Sequence, residues 1–423
     1  MAATRYRRSL CLAAAIWVGA PAAALCASWT VSPKGPVSRV TDAVRRALAG
    51  DTILVLPGVY AESGIVVDKS VSIIGDGFPE IDGRGEGQIL TVKADDVRIE
   101  GLVVKNVGVS YTEDRAGIKL IGAKRCVIRG NRLLNNFFAI YLENSGDCVV
   151  ADNRIAGEHA SETSSANGIH LWYCKNIVIE NNEVKGHRDG IYLEFVEKSA
   201  IRRNVSEENA RYGLHFMFSH DDSYEGNSFR RNGAGVAVMY SDRVSMTRNT
   251  FEHNWGPASY GLLLKDIRDS SVSANRFENN TVGIHSEGSI RVKIRGNLFR
   301  DNGCAIRMLA SSYESEVTGN SFTGNTFDLS TNSKQNSNLF DGNYWSRYQG
   351  YDLDRDGVGD VPHRPVHIFS LLVERDPAGL VLLRSFFVDL IDAAERVLPI
   401  YTPPTLLDKR PLVRPLPLEG ESS

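Results

Sequence analysis

Asparagine returns at one position in ten successive units of this chain: Asn131, Asn153, Asn182, Asn204, Asn227, Asn249, Asn275, Asn297, Asn320 and Asn343. The nine gaps between them are 22, 29, 22, 23, 22, 26, 22, 23 and 23 residues. A second column lies five residues further on, at Asn136, Asn209, Asn232, Asn254, Asn280, Asn302 and Asn325. A unit this short cannot bury an apolar face alone, so each must stack on its neighbours. Stacked Asn side chains can hydrogen-bond along a column, which favours Asn at repeated turns.

Apolar columns lie between the turns. Three residues before the Asn come Ile128, Val150, Ile179, Ile201, Tyr224, Met246, Val272, Ile294, Val317 and Phe340. Two residues after it come Phe229, Phe251, Phe277, Phe299 and Phe322. A third strand reads G-I-x-L, as in "GIKL" from Gly117, "GIHL" from Gly168, "GIYL" from Gly190, "GLHF" from Gly213 and "GLLL" from Gly261. Alternation of period two marks half-buried strands. The expected fold is all-β: a right-handed parallel β-helix with three strands per coil and coils about 4.8 Å apart. Leucine-rich repeats share the period but need a different leucine pattern and a helical return segment.

The first coil exposes a strand edge and needs a cover. Ser38 is the expected N-cap of a short helix in which Val40, Ala43, Val44, Ala47 and Leu48 share one face, with Gly50 ending it. Before it, Arg5, Arg7 and Arg8 lead into the apolar run Leu10 to Leu25, with small-residue cleavage sites at Ala22-Ala23-Ala24 and Ala27. That reads as a signal peptide, with Arg7-Arg8 leaving twin-arginine export open beside the ordinary secretory route. Loss of these three arginines takes the formal charge from -3 to -6, and an acidic chain argues against nucleic acid as partner. The expected organisation is a signal peptide over 1–27, an N-terminal cap over 28–50, the β-helix over 51–345, an Asp-rich loop over 346–366 and a partner-docking tail over 367–423.

In G-I-x-L the second and fourth residues point inward, so the third and fifth are expected to face solvent. The third-position column reads Lys119, Tyr141, His170, Tyr192, His215, Ala237, Leu263, His285 and Arg307. The fifth reads Ile121, Glu143, Trp172, Glu194, Met217, Met239, Lys265, Glu287 and Leu309. His170, Trp172, Tyr192, Glu194, His215, Met217 and Met239 thus share four adjacent coils. Imidazole with thioether suits copper, particularly the reduced ion. His170 and His215 are two coils, about 10 Å, apart and could share an ion only by leaning toward Tyr192; His215 with Met239 is an easier pair. The same columns also fit a protein-docking patch or a sugar-binding face. The two gaps longer than 23 residues place insertions near Glu158 to Ala166 and near Trp255 to Ser259, overhanging the same edge.

Cys126 and Cys148 fall in one inward column, as stacked thiols or as a disulfide; Cys174 and Cys304 lack a partner. After the last coil, Asp352, Asp354, Asp356 and Asp360 with Gly357 resemble a calcium loop without its terminal bidentate Glu, the alternative being a metal-free Asp-rich turn. Downstream, Leu380, Leu383, Phe386, Phe387, Leu390 and Ile391 lie on a broad apolar helical face. This tail either caps the last coil or grips a partner, and cutting the chain after Pro377 is expected to leave the β-helix folded.

The segments "RYGLHFMFSHDD" from Arg211 and "GNYWSRYQGYDLDRDGVGD" from Gly342, in a signal-bearing β-helix, resemble the NosD family, periplasmic accessory proteins of nitrous-oxide reductase maturation. The resemblance covers nearly the whole mature chain. It implies a non-enzymatic protein, peripheral to the inner membrane, that sits on an ABC-type permease and ATPase (NosY and NosF) and helps deliver copper to apo nitrous-oxide reductase. ATP hydrolysis belongs to the ATPase, the copper chaperone NosL is a further partner, and the apolar tail becomes the grip on the permease. The rival is a polysaccharide lyase or epimerase, or a carbohydrate-binding β-helix with Trp172 and Tyr192 as platforms. "YGLHFMFSHDD" is superficially similar to the Y-G-x-D-P-H-D segment of alginate epimerases, but His215 stands for the Asp and Phe216 for the Pro. The central face is read as offering His, Met and Trp with no Arg or Lys in the middle coils, which disfavours an acidic sugar.

Overall fold

A computed structural model describes residues 27–110, 112–158, 165–333, 337–383, 385–397 and 406–416. The leader expected over 1–27 lies, except for Ala27, outside them. Three parallel sheets of 14, 12 and 13 strands run the length of the molecule, and neighbours within each sheet are successive coils. This is the right-handed three-sheet β-helix, not a leucine-rich repeat.

The inward columns form one continuous core. Phe229, Phe251, Phe277, Phe299, Phe322 and Trp345 stack ring on ring, with centroids 4.2 to 5.6 Å apart. The corners are held by the Asn ladder. Asn204, for example, sends its backbone N–H and its Nδ2 to Asn227 Oδ1 at 2.9 and 3.0 Å, and Nδ2 also reaches the Ile179 carbonyl. Each buried amide thus satisfies both its own polar atoms and a turn of backbone. The Gly of G-I-x-L follows from crowding: a Cβ at Gly213 or Gly235 would lie 2.7 or 2.4 Å from a carbonyl oxygen of the next coil.

The N-terminal helix α1 spans Val40–Arg46 and buries Val40, Ala43 and Val44 over the first coil. Its N-cap is Arg39 rather than Ser38, and no side chain of that position caps it. Glu62 does so from the first coil, accepting from Val40 N and Thr41 N at 2.7 and 3.0 Å. A negative charge at a helix start is favourable. Leu48 lies past the helix and is exposed, against expectation.

At the other end, α2 (Ile368–Arg375) packs on the last G-I-x-L strands. Glu374 pairs with Arg307 at 3.1 Å and accepts from Ser330 Oγ. Helix α3 (Phe386–Val397) contributes Val388 to a small cluster with Phe369 and Val373. Residues 406–416 then return to the β-helix, bridging Phe340 with Asp408 and Tyr344 with Leu412. Asp408, fully buried, terminates the Asn ladder: its carboxylate accepts from Gly342 N, Asn343 N, Asn343 Nδ2, Trp345 Nε1 and Arg410 N. The tail is therefore built into the end of the stack, and a cut after Pro377 removes the ladder's last acceptor. Cys126, Cys148, Cys174 and Cys304 are buried free thiols, and Cys126 N donates to Cys148 Sγ at 3.4 Å, so no disulfide joins this pair.

Candidate functional site

Pairing places Tyr141, His170, Tyr192, His215 and Ala237 side by side on consecutive coils, and Glu143, Trp172, Glu194, Met217 and Met239 beside them. The third-position residues do not face open solvent. His170, His215 and His285 are 8%, 4% and 8% exposed, and Tyr192 is 9% exposed. Alternation sets the direction of a side chain but not its cover; here rings on adjacent coils cover one another. Met217, Met239, Trp172 and Glu194 are half-buried rather than exposed.

An open cavity of about 790 Å³ crosses this face, lined by His170, Tyr192, Glu194, His215, Met217 and Met239 on its floor. Phe137, Phe138 and the segments around Asp114 and Ala166 form one wall. Residues 159–164 of the expected insertion lie outside the described residues; the second insertion leaves Trp255 exposed and does not line the cavity. Arg188, Arg211 and Tyr212 also line it. Cations are therefore present in the middle coils, contrary to expectation, and an acidic ligand is not disfavoured on that ground. They stand just before the G-I-x-L strands, outside the two columns read from the sequence.

Asp189 anchors these cations. It is fully buried and takes Arg211 in a fork, Nε to Oδ1 at 3.0 Å and Nη2 to Oδ2 at 2.8 Å. Burial opposes its charge, but the adjacent His215 ring and Arg211 hold its carboxyl below the usual range. Arg188 Nε lies 3.9 Å from the same Oδ2, and His215 Nδ1 lies 3.7 Å from it.

The two histidines are held differently. The Tyr192 ring lies between them, with centroids 4.9 Å from His170 and 4.7 Å from His215. His170 also stacks on Tyr141 at 4.6 Å, and its Nδ1 meets Asn167 Nδ2 at 2.8 Å. Asn167 Oδ1 accepts from Arg188, so Nδ2 is the donor to His170. Burial, with Arg188 beside it, pushes His170 down to about 3, leaving it neutral. His170 thus belongs to an aromatic stack, apart from the sulfur-rich end. His215 sits at that end: Met217 follows on its own strand and Met239 on the next. Tyr192 Oη donates to Met217 Sδ at 3.5 Å. This set, one imidazole and two thioethers, is the soft-ion arrangement the face supports.

One further feature escaped the columns. Tyr173, Phe195, Phe218 and Tyr240 occupy the next corner on the same four coils, with rings stacked 4.6 to 5.2 Å apart. All four have φ between 51° and 54°, where the same corner elsewhere has Gly122, Asn144, Asp266 and Gly288. Bulky residues at positive φ are uncommon. The signal was legible as four aromatics where neighbouring units place turn formers.

Elsewhere, ligand oxygens of Asp352, Asp354 and Asp356 lie within 4.8 Å of one another. Asp360 turns instead to accept from Leu353 N at 2.7 Å. On the tail, Leu380, Phe386, Phe387 and Leu390 are exposed, Ile391 is half-buried, and Leu383 packs on Phe369, Val373 and Val388. Among the described residues no helix is long and apolar enough to cross a membrane.

Comparison with known proteins completes the picture. A family profile described as periplasmic copper-binding protein (NosD) matches residues 158–350, the stretch that carries this face. A "Probable ABC transporter binding protein NosD" of Pseudomonas aeruginosa is 32% identical over 84% of this chain and 87% of its own. Its namesake from Stutzerimonas stutzeri is 29% identical over 86% and 87%. The A-module of mannuronan C-5 epimerase AlgE6 from Azotobacter vinelandii shares the fold alone, at a TM-score of 0.52 and 14% identity over 73% of this chain and 94% of that one. An identity of 32% to a relative matched over 84% of this chain establishes that the chain belongs to the NosD family.

Proposed function

We propose that this protein is a non-catalytic periplasmic scaffold that docks on an ABC transporter and passes copper to apo nitrous-oxide reductase as its metal centres are assembled. The observation that carries the reading is His215, Met217 and Met239 converging on one cavity. Copper is cargo here, held by soft donors on a rigid stack and released to the acceptor enzyme. Glu194 lines the same floor, and His170 orders Tyr192 against the soft donors.

Docking falls to the tail, where Leu380, Phe386, Phe387 and Leu390 form an exposed apolar patch on a chain whose relatives are named transporter-binding proteins. The permease and ATPase, the chaperone NosL and the apo-enzyme are the partners of this reading, and ATP hydrolysis stays in the ATPase. A second reading, uronate processing or carbohydrate binding, is favoured by Arg188 and Arg211 in the cavity. Reconstitution separates the two. Copper-loaded protein, mixed with apo nitrous-oxide reductase, the transporter and ATP, should restore the enzyme's copper absorption. Turnover of alginate or pectate without such transfer would overturn the proposal.

A further inference from the structure

Tyr192 is clamped at its ring and free to turn only at its hydroxyl. The ring lies between His170 and His215, on the coils before and after it, with centroids 4.9 and 4.7 Å away. Tyr192 and Glu194 are two residues apart on one strand, so both stand on the same face of the sheet. Glu194 is in turn the register partner of Met217 on the next coil. One phenol therefore has two acceptors beside it. Its Oη donates to Met217 Sδ at 3.5 Å, and the Glu194 carboxylate is the other hydrogen-bonding neighbour of the same group. A thioether is a weak acceptor and a carboxylate a strong one, so the bond to sulfur is the one that yields. All three side chains line the cavity.

From this we infer that Tyr192 is a positioning residue whose hydroxyl latches the Met217 thioether and frees it by turning to Glu194. The bond takes up a sulfur lone pair that a soft ion or an oxidant entering the cavity needs. Rotation of one O–H releases that pair without moving the clamped ring, and no proton leaves the phenol. Met239, two coils and about 10 Å of stack from Tyr192, lies outside the latch. Glu194 then acts as the second seat of the hydroxyl and not as a ligand. That the latch controls loading rests on the copper reading of this face; the latch itself does not.

Peroxide oxidation of the metal-free, full-length protein tests the latch. The thioether attacks with its lone pair, takes one oxygen from hydrogen peroxide and leaves water, giving the sulfoxide. Peptide mass spectrometry reads the rate at Met217 with Met239 as internal reference. Tyr192→Phe, which keeps the ring and removes the hydroxyl, should raise the Met217 to Met239 ratio about three-fold, the lower range for one hydrogen bond. Glu194→Ala, which removes the second seat, should lower that ratio. A merely looser fold would speed both methionines in both variants. An unchanged ratio in Tyr192→Phe, or a shift of the same sign in the two variants, would overturn the inference. Copper(I) competition on the same proteins is the second arm. Glu194→Ala should weaken binding about three-fold where Tyr192 is present and leave it unchanged in the Tyr192→Phe background. Equal weakening in both backgrounds would make Glu194 a ligand and overturn its role as the seat. Wild type that takes up no copper(I) while the peroxide ratios hold would sink the copper reading and leave the latch standing.

Discussion

Replacing Asp408 by Ala should loosen the C-terminal end of the β-helix and leave the rest intact. Its carboxylate accepts five hydrogen bonds, three of them from the fully buried Asn343 N, Asn343 Nδ2 and Trp345 Nε1 at 3.0, 3.1 and 2.9 Å. Removing the acceptor strands these three donors, at roughly 1–2 kcal/mol each, or about 4 kcal/mol together. That corresponds to about a thousand-fold shift in local opening. Because coils contact only their neighbours, the effect should decay along the stack. Hydrogen–deuterium exchange reads it directly. Amides around Asn320 to Trp345 should exchange faster by orders of magnitude, while those around Asn131 to Asn204 keep their protection. Asp408→Asn, which turns one acceptor into a donor, should fall between the two. Uniform deprotection along the whole chain, or an unchanged last coil, would refute this account of the ladder's end.

Other expectations follow from single sites. Asp222 is buried with Oδ2 unpartnered, and burial raises it to about 8 despite the bond from Ser199 N. A folded value above the unfolded one means that its stabilising effect is present below about pH 4 and is lost as pH rises toward 8. Asp222→Asn should therefore be more stable by a few kcal/mol at pH 7–8 in thermal melts and near wild type at pH 4; a gap independent of pH would count against it. Phe386→Asp with Phe387→Asp should abolish co-purification with the transporter while the melting temperature stays within a few degrees, and retained co-purification would remove the tail from the interface. If Asp352, Asp354 and Asp356 hold calcium, calorimetry should detect one ion lost in Asp354→Ala; no heat in wild type would leave a plain turn.

How much of this could be read from the chain follows from the range of the interactions. The strand columns were legible because a period of two inside a period near 22 leaves one register: Lys119 to Arg307 align residue by residue as read. Burial of His170 and His215 was not, because it depends on which rings stand on the next coils. Arg188 and Arg211 were missed because they sit in the turn before the strand, where no periodicity points inward. Asp408 and Glu62 were invisible for a different reason. Each completes a hydrogen-bond pattern begun elsewhere in the chain, Asp408 65 residues after Asn343 and Glu62 22 residues after Val40.

The claim on which the functional account turns is that His215, Met217 and Met239 hold the cargo ion. A copper(I) competition titration against a chromogenic chelator, with full-length protein under reducing conditions, tests it most directly. The account predicts that wild type withdraws one equivalent and that the His215→Ala, Met217→Ala, Met239→Ala triple variant, still folded, leaves the ion with the chelator. A triple variant that competes as well as wild type would contradict it.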